Sequence, residues 1–547
     1  MSLEKETSVE QHETVSEAVN DVAVSKEWAH AEGKKGADQE HQMTLLQGIK
    51  GYPGAIMWSV LLSTAIIMEG YDIVLIGNLF GQPKFQEHYG TWRGEDLGYQ
   101  ISAPWQAGLG NGTAVGTIIG AFANGWLTQR FGYRKTLLCA LAAVTCFIFI
   151  TFFARSLPML LTGSILCGLP WGVFATMAPA YASEICPLAL RSYLTSYVCL
   201  CWALGQLISA GVLNGFQSNM TQWAFRVPFA IQWIWPIPLA IVLFFVPESP
   251  YWLARRNRLE EAEEVLNRLS SKKYPADTKK QLAMIVHTNK IEDEISSGGS
   301  YVDCFRGINL RRTEIVCLVF ITQNSTGVAI GGTPTYFFVQ AGVGSEHVFK
   351  FATGALGLAS VGVIISWFLL YRVGRRTLYV WSCGALVVLL LLIGVISAVS
   401  QSQSASFAQA GLVLVWEILF YATIGPVCYT IIGEVPAVGV RNKSICIARI
   451  AYYISQITVG TISPYLINPT AANLRGKVGF FWAGTCLLTF IWCFFRLPET
   501  KGRTFEEIDL LFAAKTPARK FATAKVDAYA ESSSRVVPES ADNADRA

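Results

Sequence analysis

Apolar runs of about 20 residues recur along most of this 547-residue chain, separated by short polar connections. A run of that length crosses about 30 Å of hydrocarbon as a helix. The pattern predicts twelve spans, near 53–79, 104–127, 136–154, 158–183, 193–214, 226–246, 313–338, 348–371, 376–398, 408–432, 443–466 and 478–497. They are called spans 1 to 12 in this order. Polar, charge-rich sequence occupies both ends and the stretch 247–312. The expected organisation is a disordered cytoplasmic tail (1–50), a six-helix half (51–246), a cytoplasmic loop with short amphipathic helices (247–312), a second six-helix half (313–497) and a cytoplasmic C-terminal tail (498–547). The fold class predicted is an all-α membrane protein with twelve transmembrane helices in two six-helix halves.

Basic residues choose the orientation. The connection after span 2 carries Arg130, Arg134 and Lys135, and the one after span 8 carries Arg372, Arg375 and Arg376. Arg441 and Lys443 follow span 10. On the opposite face the 9–10 connection has no Lys or Arg and the 3–4 connection has Arg155 alone. Both termini and the 6–7 loop are therefore expected in the cytoplasm. The same residues reveal a repeat. Arg130–Lys135 after span 2 echoes Arg372–Arg376 after span 8. Glu184 and Arg191 after span 4 echo Glu434 and Arg441 after span 10, with the same separation in both. Two six-helix halves around a midplane site are a transporter architecture.

Composition removes other classes. The chain is 52% hydrophobic and 15% charged, where soluble proteins average roughly 25% charged, and its mean hydropathy is +0.37. A net charge of +4, dispersed along the chain, gives no basis for nucleic-acid binding. All thirteen cysteines except Cys304 lie in or at the edges of spans, as small buried hydrophobes do. No CxxC pair or Cys/His cluster indicates a metal, no nucleophile–base arrangement indicates an enzyme, and no cofactor is expected. Residues 1–50 lack an apolar core preceded by positive charge, so span 1 is expected to act as the insertion signal.

Four ionisable residues interrupt apolar spans: Glu69 and Asp72 in span 1, Glu417 in span 10 and Arg449 in span 11. A charge at mid-bilayer costs about 2.5–3.5 kcal/mol even on the lenient scale. Glu69 and Asp72 are three residues apart and share a helix face. Two carboxylates that close in low dielectric cannot both ionise cheaply. The expectation is that Arg449 holds Asp72 ionised until an incoming proton releases it. Asp72 would then be the proton site, with Glu69 a modulator or sugar ligand; a static ion pair is the alternative.

On the cytoplasmic face, Arg130, Arg134, Glu184, Arg191, Arg372, Arg376, Glu434 and Arg441 are joined by two strings. One is Pro247-Glu248-Ser249-Pro250-Tyr251-Trp252-Leu253 and the other Pro498-Glu499-Thr500-Lys501-Gly502-Arg503-Thr504. These motifs resemble the sugar porter family of the major facilitator superfamily. Within it, Met43–Gly48, Glu69-Gly70-Tyr71-Asp72 and Tyr336–Gly342 look like the fungal α-glucoside (maltose-type) permeases. The resemblance implies alternating access and proton-coupled uptake of an α-glucoside such as maltose at the plasma membrane. The partners it implies are a small-molecule sugar, a proton and the lipid bilayer, and the chain is expected to act as a monomer. A carrier for another glycoside or a monosaccharide, or a non-transporting sugar sensor, is the alternative. The gate residues would form networks that hold the halves together inside and break when the inside opens; plain solvated helix surface is the other reading.

The resemblance also nominates sugar ligands. Gln206 in span 5, and Gln323 and Asn324 in span 7, stand where sugar porters place amides. Trp416, Tyr421 and Tyr429 in span 10 are candidate platforms for a sugar ring, and Glu417 a candidate hydroxyl contact. Gln323 and Asn324 could instead bond neighbouring helices. Departures from the family are Gln129 for an Asp, Ser164 for an Arg, Cys199 for a Gln, Ala329 for an Asn and Thr117 for a Glu. Gly425-Pro426 is expected to break span 10, and Gly331-Gly332 with Pro334 the outer end of span 7. Asn219-Met220-Thr221 in the 5–6 loop is the expected glycosylation site.

Overall fold

The computed structural model describes residues 31–80, 82–92, 99–216, 219–274, 277–295, 300–331, 345–400, 402–467, 472, 474–526, 528 and 536–537. Helices occupy all twelve predicted places. The first half contains Pro53–Leu79, Ala103–Phe131, Tyr133–Phe152, Leu157–Ile185, Leu188–Phe216 and Trp223–Phe245. The second contains Gly307–Ser325, Ser345–Arg372, Arg375–Val399, Gln403–Glu434, Arg441–Ile467 and Val478–Arg496. Among the described residues, ten helices are long and apolar enough to cross a bilayer. Gly-rich Ala103–Phe131 and the more polar Gly307–Ser325 pack among them.

Two helices break, for identifiable reasons. Span 10 divides at Thr423 (φ −134°, ψ −81°), between Gln403–Ala422 and Ile424–Glu434. Pro426 has no N–H and its ring crowds the carbonyl four residues back, which is that of Ala422. Span 7 ends at Ser325, earlier than predicted, and resumes over Val328–Gly331. Gly327 sits between at φ +91°, a conformation open to glycine. Residues 332–344, which hold the predicted outer break at Pro334 and the motif Tyr336–Gly342, lie outside the described residues.

Glycines let the first half close tightly. A Cβ on Gly116 of span 2 would sit 1.9 Å from the Ile165 carbonyl oxygen, and one on Gly120 2.0 Å from that of Leu169. Span 4 reciprocates: a Cβ on Gly168 would meet the Thr113 carbonyl oxygen at 2.3 Å, and one on Gly172 that of Thr117 at 2.3 Å. Small residues at four-residue spacing give the backbone approach that apolar bulk cannot give in lipid. Spans 1 and 5 meet similarly, with Gly70 against the Trp202 backbone and Gly205 against that of Ile67. Between the halves, span 2 packs on span 11, and span 5 on spans 8 and 10.

The repeat extends to atomic contacts. The Glu248 carboxylate accepts from the backbone N–H groups of Tyr133 (2.9 Å) and Arg134 (3.0 Å), at the start of span 3. Glu499 accepts from those of Arg375 (2.7 Å) and Arg376 (3.2 Å), at the start of span 9. Each carboxylate neutralises the positive end of a helix. The following residues are equivalent too: Ser249 donates to Glu184, and Thr500 to Glu434 (2.6 Å).

The 6–7 loop forms helices Pro250–Arg255, Leu259–Leu269 and Thr278–Ile295, as its pattern predicts. The expectation of disorder over 1–50 is corrected for its second part. Residues 31–42 are helical and Leu45–Gly51 is a second helix, opened by a capping box between Thr44 and Gln47. Buried Glu40 accepts from the Leu188 N–H (3.3 Å) at the start of span 5, which anchors the first helix. Burial raises the Glu40 carboxyl above its ordinary value. The C-terminal segment is anchored as well. Helix Phe505–Ala513 buries Phe505, Glu506, Ile508, Asp509, Leu510, Leu511 and Phe512, and Arg312 pairs with Asp509.

Substituting Gly116 or Gly168 by Ala is expected to cost about 1–3 kcal/mol through displacement of packed backbone. A lower thermal midpoint of the detergent-solubilised protein should result. Gly108→Ala, where a Cβ meets nothing within 4 Å, should leave it unchanged.

Candidate functional site

The helices bring the unusual charges together only in part. Arg449, on span 11, is 1% exposed and lies against the first half. Its Nη2 donates to Glu69 Oε1 of span 1 at 3.0 Å. The Tyr453 hydroxyl, one turn along span 11, bonds the same oxygen and accepts from Arg449 Nη2 at 3.0 Å. Arg449 Nη1 donates to the Tyr429 hydroxyl of span 10 at 3.2 Å. Aromatic rings complete the cage. The guanidinium lies 4.7 Å from the Tyr452 ring, 5.4 Å from Phe320 and 5.6 Å from Trp202. Spans 1, 5, 7, 10 and 11 thus converge on one cation, and the Glu69–Arg449 bond crosses between the halves.

Asp72 is not Arg449's partner, contrary to the sequence expectation. Its Oδ2 accepts from Trp171 Nε1 of span 4 (3.1 Å) and its Oδ1 from Gln232 Nε2 of span 6 (3.0 Å). The physical reason is helical phase: three residues turn a helix by about 300°. That leaves Glu69 aimed at the second half and Asp72 into the first. Ser164, at the position of the family's Arg, back-bonds to Leu160 O and offers Asp72 no charge.

The predicted ligands divide. Gln323 donates to the Gly425 carbonyl oxygen at the break of span 10 (3.0 Å). Asn324 donates to Tyr452 O (3.0 Å) and Ser455 Oγ (2.7 Å) of span 11. Both amide groups therefore serve interhelical bonds, the alternative already open for them. Trp416 is fully buried, donates to Thr326 O (2.9 Å) and stacks on Phe420 at 5.0 Å, so its ring is packing rather than platform. Tyr429 spends its hydroxyl on Arg449. Tyr421 is buried with its ring edge-on to Phe420. Gln206 is half-buried on span 5, one residue from the Gly205 contact with span 1. Glu417 is 3% exposed and its Oε2 has no hydrogen-bond partner. Thr117 gives its hydroxyl to Thr113 O (2.8 Å).

Sequence reasoning missed several participants. Buried polar atoms without hydrogen-bond partners include Glu69 Oε2, Arg449 Nε, Trp202 Nε1 and Gln456 Oε1. Buried polar atoms are ordinarily satisfied, so such a group around one charge pair is a place able to bond a polyhydroxylated molecule. Gln232 was findable: it is an amide inside apolar span 6, the same signal that singled out the four charges. Tyr453 is one helical turn from Arg449. Trp171 and Trp202 carry no local signal, because buried tryptophan is ordinary in such helices.

The gate residues also divide. On the face bearing the 6–7 loop, Arg441 of span 11 faces Glu184 of span 4 at 3.8 Å, across the halves. Glu434 pairs instead with Arg375 of its own half at 3.1 Å. Arg130 lies over the Trp126 ring at 5.2 Å, and Arg372 is exposed. Arg376 donates to Phe494 O at 2.7 Å. Arg134 contributes its backbone N–H to Glu248, and Arg191 stacks on Phe505. The network is thus mostly within halves rather than between them. Two further bonds do cross: Tyr133 OH donates to Asn442 Oδ1 at 2.9 Å, and Lys443 to Gln129 Oε1. Gln129, in place of the family's Asp, still accepts across the interface. Asn219 Oδ1 accepts from Thr221 N (2.9 Å) and Oγ1 (2.7 Å), a local turn in the 5–6 loop.

Comparison with known proteins agrees with this architecture. The profile of the family described as "Sugar (and other) transporter" matches residues 58–512. The chain belongs to this sugar transporter family. It is 39% identical over 520 residues to the general alpha-glucoside permease of Saccharomyces cerevisiae, covering 94% of this chain and 84% of that one. It is 40% identical over 511 residues to the maltose permease MAL31 of the same organism, covering 92% and 83%. The fold is that of the major facilitator superfamily. The proton:xylose symporter XylE bound to 6-bromo-6-deoxy-D-glucose superposes with a TM-score of 0.73 at 19% identity, covering 84% of this chain and 100% of that one. This family member is a membrane transporter, not an enzyme.

Breaking a buried ion pair by removing one partner costs about 3–5 kcal/mol, because the other charge is left buried and unpaired. Arg449→Gln should therefore lower the thermal midpoint more than the double variant Glu69→Gln with Arg449→Gln. Thermal unfolding of the purified proteins measures the order; equal losses would mean that the two charges are not coupled.

Proposed function

We propose that this chain imports an α-glucoside such as maltose together with protons across the plasma membrane, as a monomer with both termini in the cytoplasm. The likeness to α-glucoside and maltose permeases over more than nine-tenths of the chain supports the substrate class. The observation that carries the mechanism is the buried Glu69–Arg449 bond between halves, surrounded by unpartnered polar atoms. Sugar hydroxyls that reach Glu69 Oε2, Trp202 Nε1 and Gln456 Oε1 would engage both halves at once. Alternating access then follows from exchange of contacts: the halves rock about the site, and the Glu184–Arg441 contact parts when the loop face opens. The Lys/Arg-rich loop face is the cytoplasmic one by the positive-inside rule.

Asp72 is the proposed proton site, now for a reason different from the sequence expectation. Glu69 is committed to Arg449, whereas Asp72 is held by two neutral donors and has no cation to lock it ionised. Protonation would weaken its bonds to Trp171 and Gln232 and loosen spans 1, 4 and 6. One charge crossing 100 mV supplies about 2.3 kcal/mol, enough for roughly fifty-fold accumulation. The second reading, another glycoside or a monosaccharide, is favoured by Thr117, whose hydroxyl is turned to its own helix where the α-glucoside permeases carry an acid.

In cells lacking maltose uptake, expression of this chain should alkalinise an unbuffered suspension on addition of maltose but not glucose. Uptake without alkalinisation would remove the proton. No uptake of any sugar at normal surface expression would favour a sensor. Asp72→Asn should abolish accumulation while leaving exchange of sugar down its gradient; unchanged accumulation of labelled sugar would exclude Asp72 as the proton site.

A further inference from the structure

Phe505 opens the C-terminal helix Phe505–Ala513 and is 3% exposed. Two guanidiniums lie on its ring. Those of Arg191, from span 5, and Arg441, from span 11, are each 3.7 Å from the ring centroid. Two cations cannot share one face at that distance, so they cover opposite faces. Both are buried, at 2% and 0% exposure. Nε and Nη1 of Arg191, and all three side-chain nitrogens of Arg441, have no hydrogen-bond acceptor. The nearest carboxylate to Arg441, that of Glu184, stands at 3.8 Å. What faces both cations at contact distance is the negative quadrupole of one ring, an attraction that strengthens on desolvation. The ring edge is fixed by Tyr251 of the 6–7 loop, 5.9 Å away at 82°.

One cation comes from each half, and the ring from a segment outside both. We propose that Phe505 is a positioning residue of the transport cycle. It clamps Arg191 and Arg441, and so the two halves, on the loop face, and releases one of them whenever that face opens. The two arginines repel each other, so the ring is needed to hold them side by side. An aliphatic side chain of similar volume fills the space and leaves the repulsion. The cycle in which the clamp acts rests on the alternating-access reading above.

The test is hydrogen–deuterium exchange of the full-length protein in lipid nanodiscs, read in peptides covering 188–196 and 441–448. It needs no substrate, so failure of the uptake assay and failure of this proposal are separate results. Phe505→Leu should speed exchange in both peptides by about tenfold, and Phe505→Tyr should restore the wild-type rate. Leu511→Ala, which loosens the same helix without touching either arginine, should speed exchange within 505–513 alone. If Phe505→Leu does not fold, Arg191→Gln removes one cation, keeps the ring and should give the same rise in 441–448. Unchanged exchange in these variants, a Tyr variant that behaves like Leu, or gate opening by Leu511→Ala would each overturn the proposal.

Discussion

A guanidinium buried between two halves of a membrane protein has to be neutralised by the chain itself, and Arg449 sets that requirement here. It is met with one carboxylate, two hydroxyls and a ring of aromatics drawn from five helices. Span 1 must approach closely enough to deliver Glu69. The glycine contacts Gly70–Trp202 and Gly205–Ile67 bring spans 1 and 5 together, with Trp202 on the cage wall. Span 10 must deliver Tyr429 from beyond its break, and Gln323 ties that break to span 7 through the Gly425 carbonyl. The cage is therefore also the seam of the molecule: any rocking of the halves has to stretch or exchange the Glu69–Arg449 bond.

The loop face solves a second version of the same problem. There the halves present like charges, Arg191 and Arg441, to one another. One acid, Glu184, and one aromatic ring stand between them. Meanwhile Glu248 and Glu499 are consumed in capping spans 3 and 9. Burial pushes the Glu248 carboxyl up, and its two backbone N–H bonds pull against that shift. A carboxylate fixed to helix ends makes each half rigid, and it leaves few groups to cross the gap. Weak adhesion on this face suits a gate, because a strong interface would not reopen. The division between rigid halves and a sparse seam follows from where the acids are spent.

Periodicity and charge made most of the fold legible. Twelve apolar runs became twelve helices, and Pro426 broke span 10 through its missing N–H. The doubled Glu-to-Arg spacing anticipated a repeat that holds down to Ser249 and Thr500. The site was legible only as a set of costly residues. Which carboxylate meets Arg449 depends on helix rotation, and a three-residue spacing on one nominal face does not resolve that. Hence Glu69 and Asp72 were exchanged in role. The tryptophans at the site were invisible because their residue type is common in apolar spans. The helix at 31–42 was hidden because it is polar and is held by one tertiary bond, from Leu188 to Glu40.

The exchange of roles has a consequence for coupling. A single acid that both binds the proton and neutralises the arginine ties proton release to the opening of the seam. Here the two tasks fall on neighbouring residues of one helix. Glu69 reports on the distance between halves, and Asp72 on the packing of spans 1, 4 and 6 inside the first half. Span 1 is the mechanical link between them. Its two helical stretches meet at Thr64, one turn before Glu69, so the link has a joint on the loop-face side and continuous helix between the two acids. A change of packing at Asp72 therefore reaches Glu69 through rigid helix rather than through a hinge. Loss of an acid at Thr117 is tolerable in such an arrangement. Thr117 lies against Gly172, where spans 2 and 4 touch backbone to backbone and a longer side chain would need room.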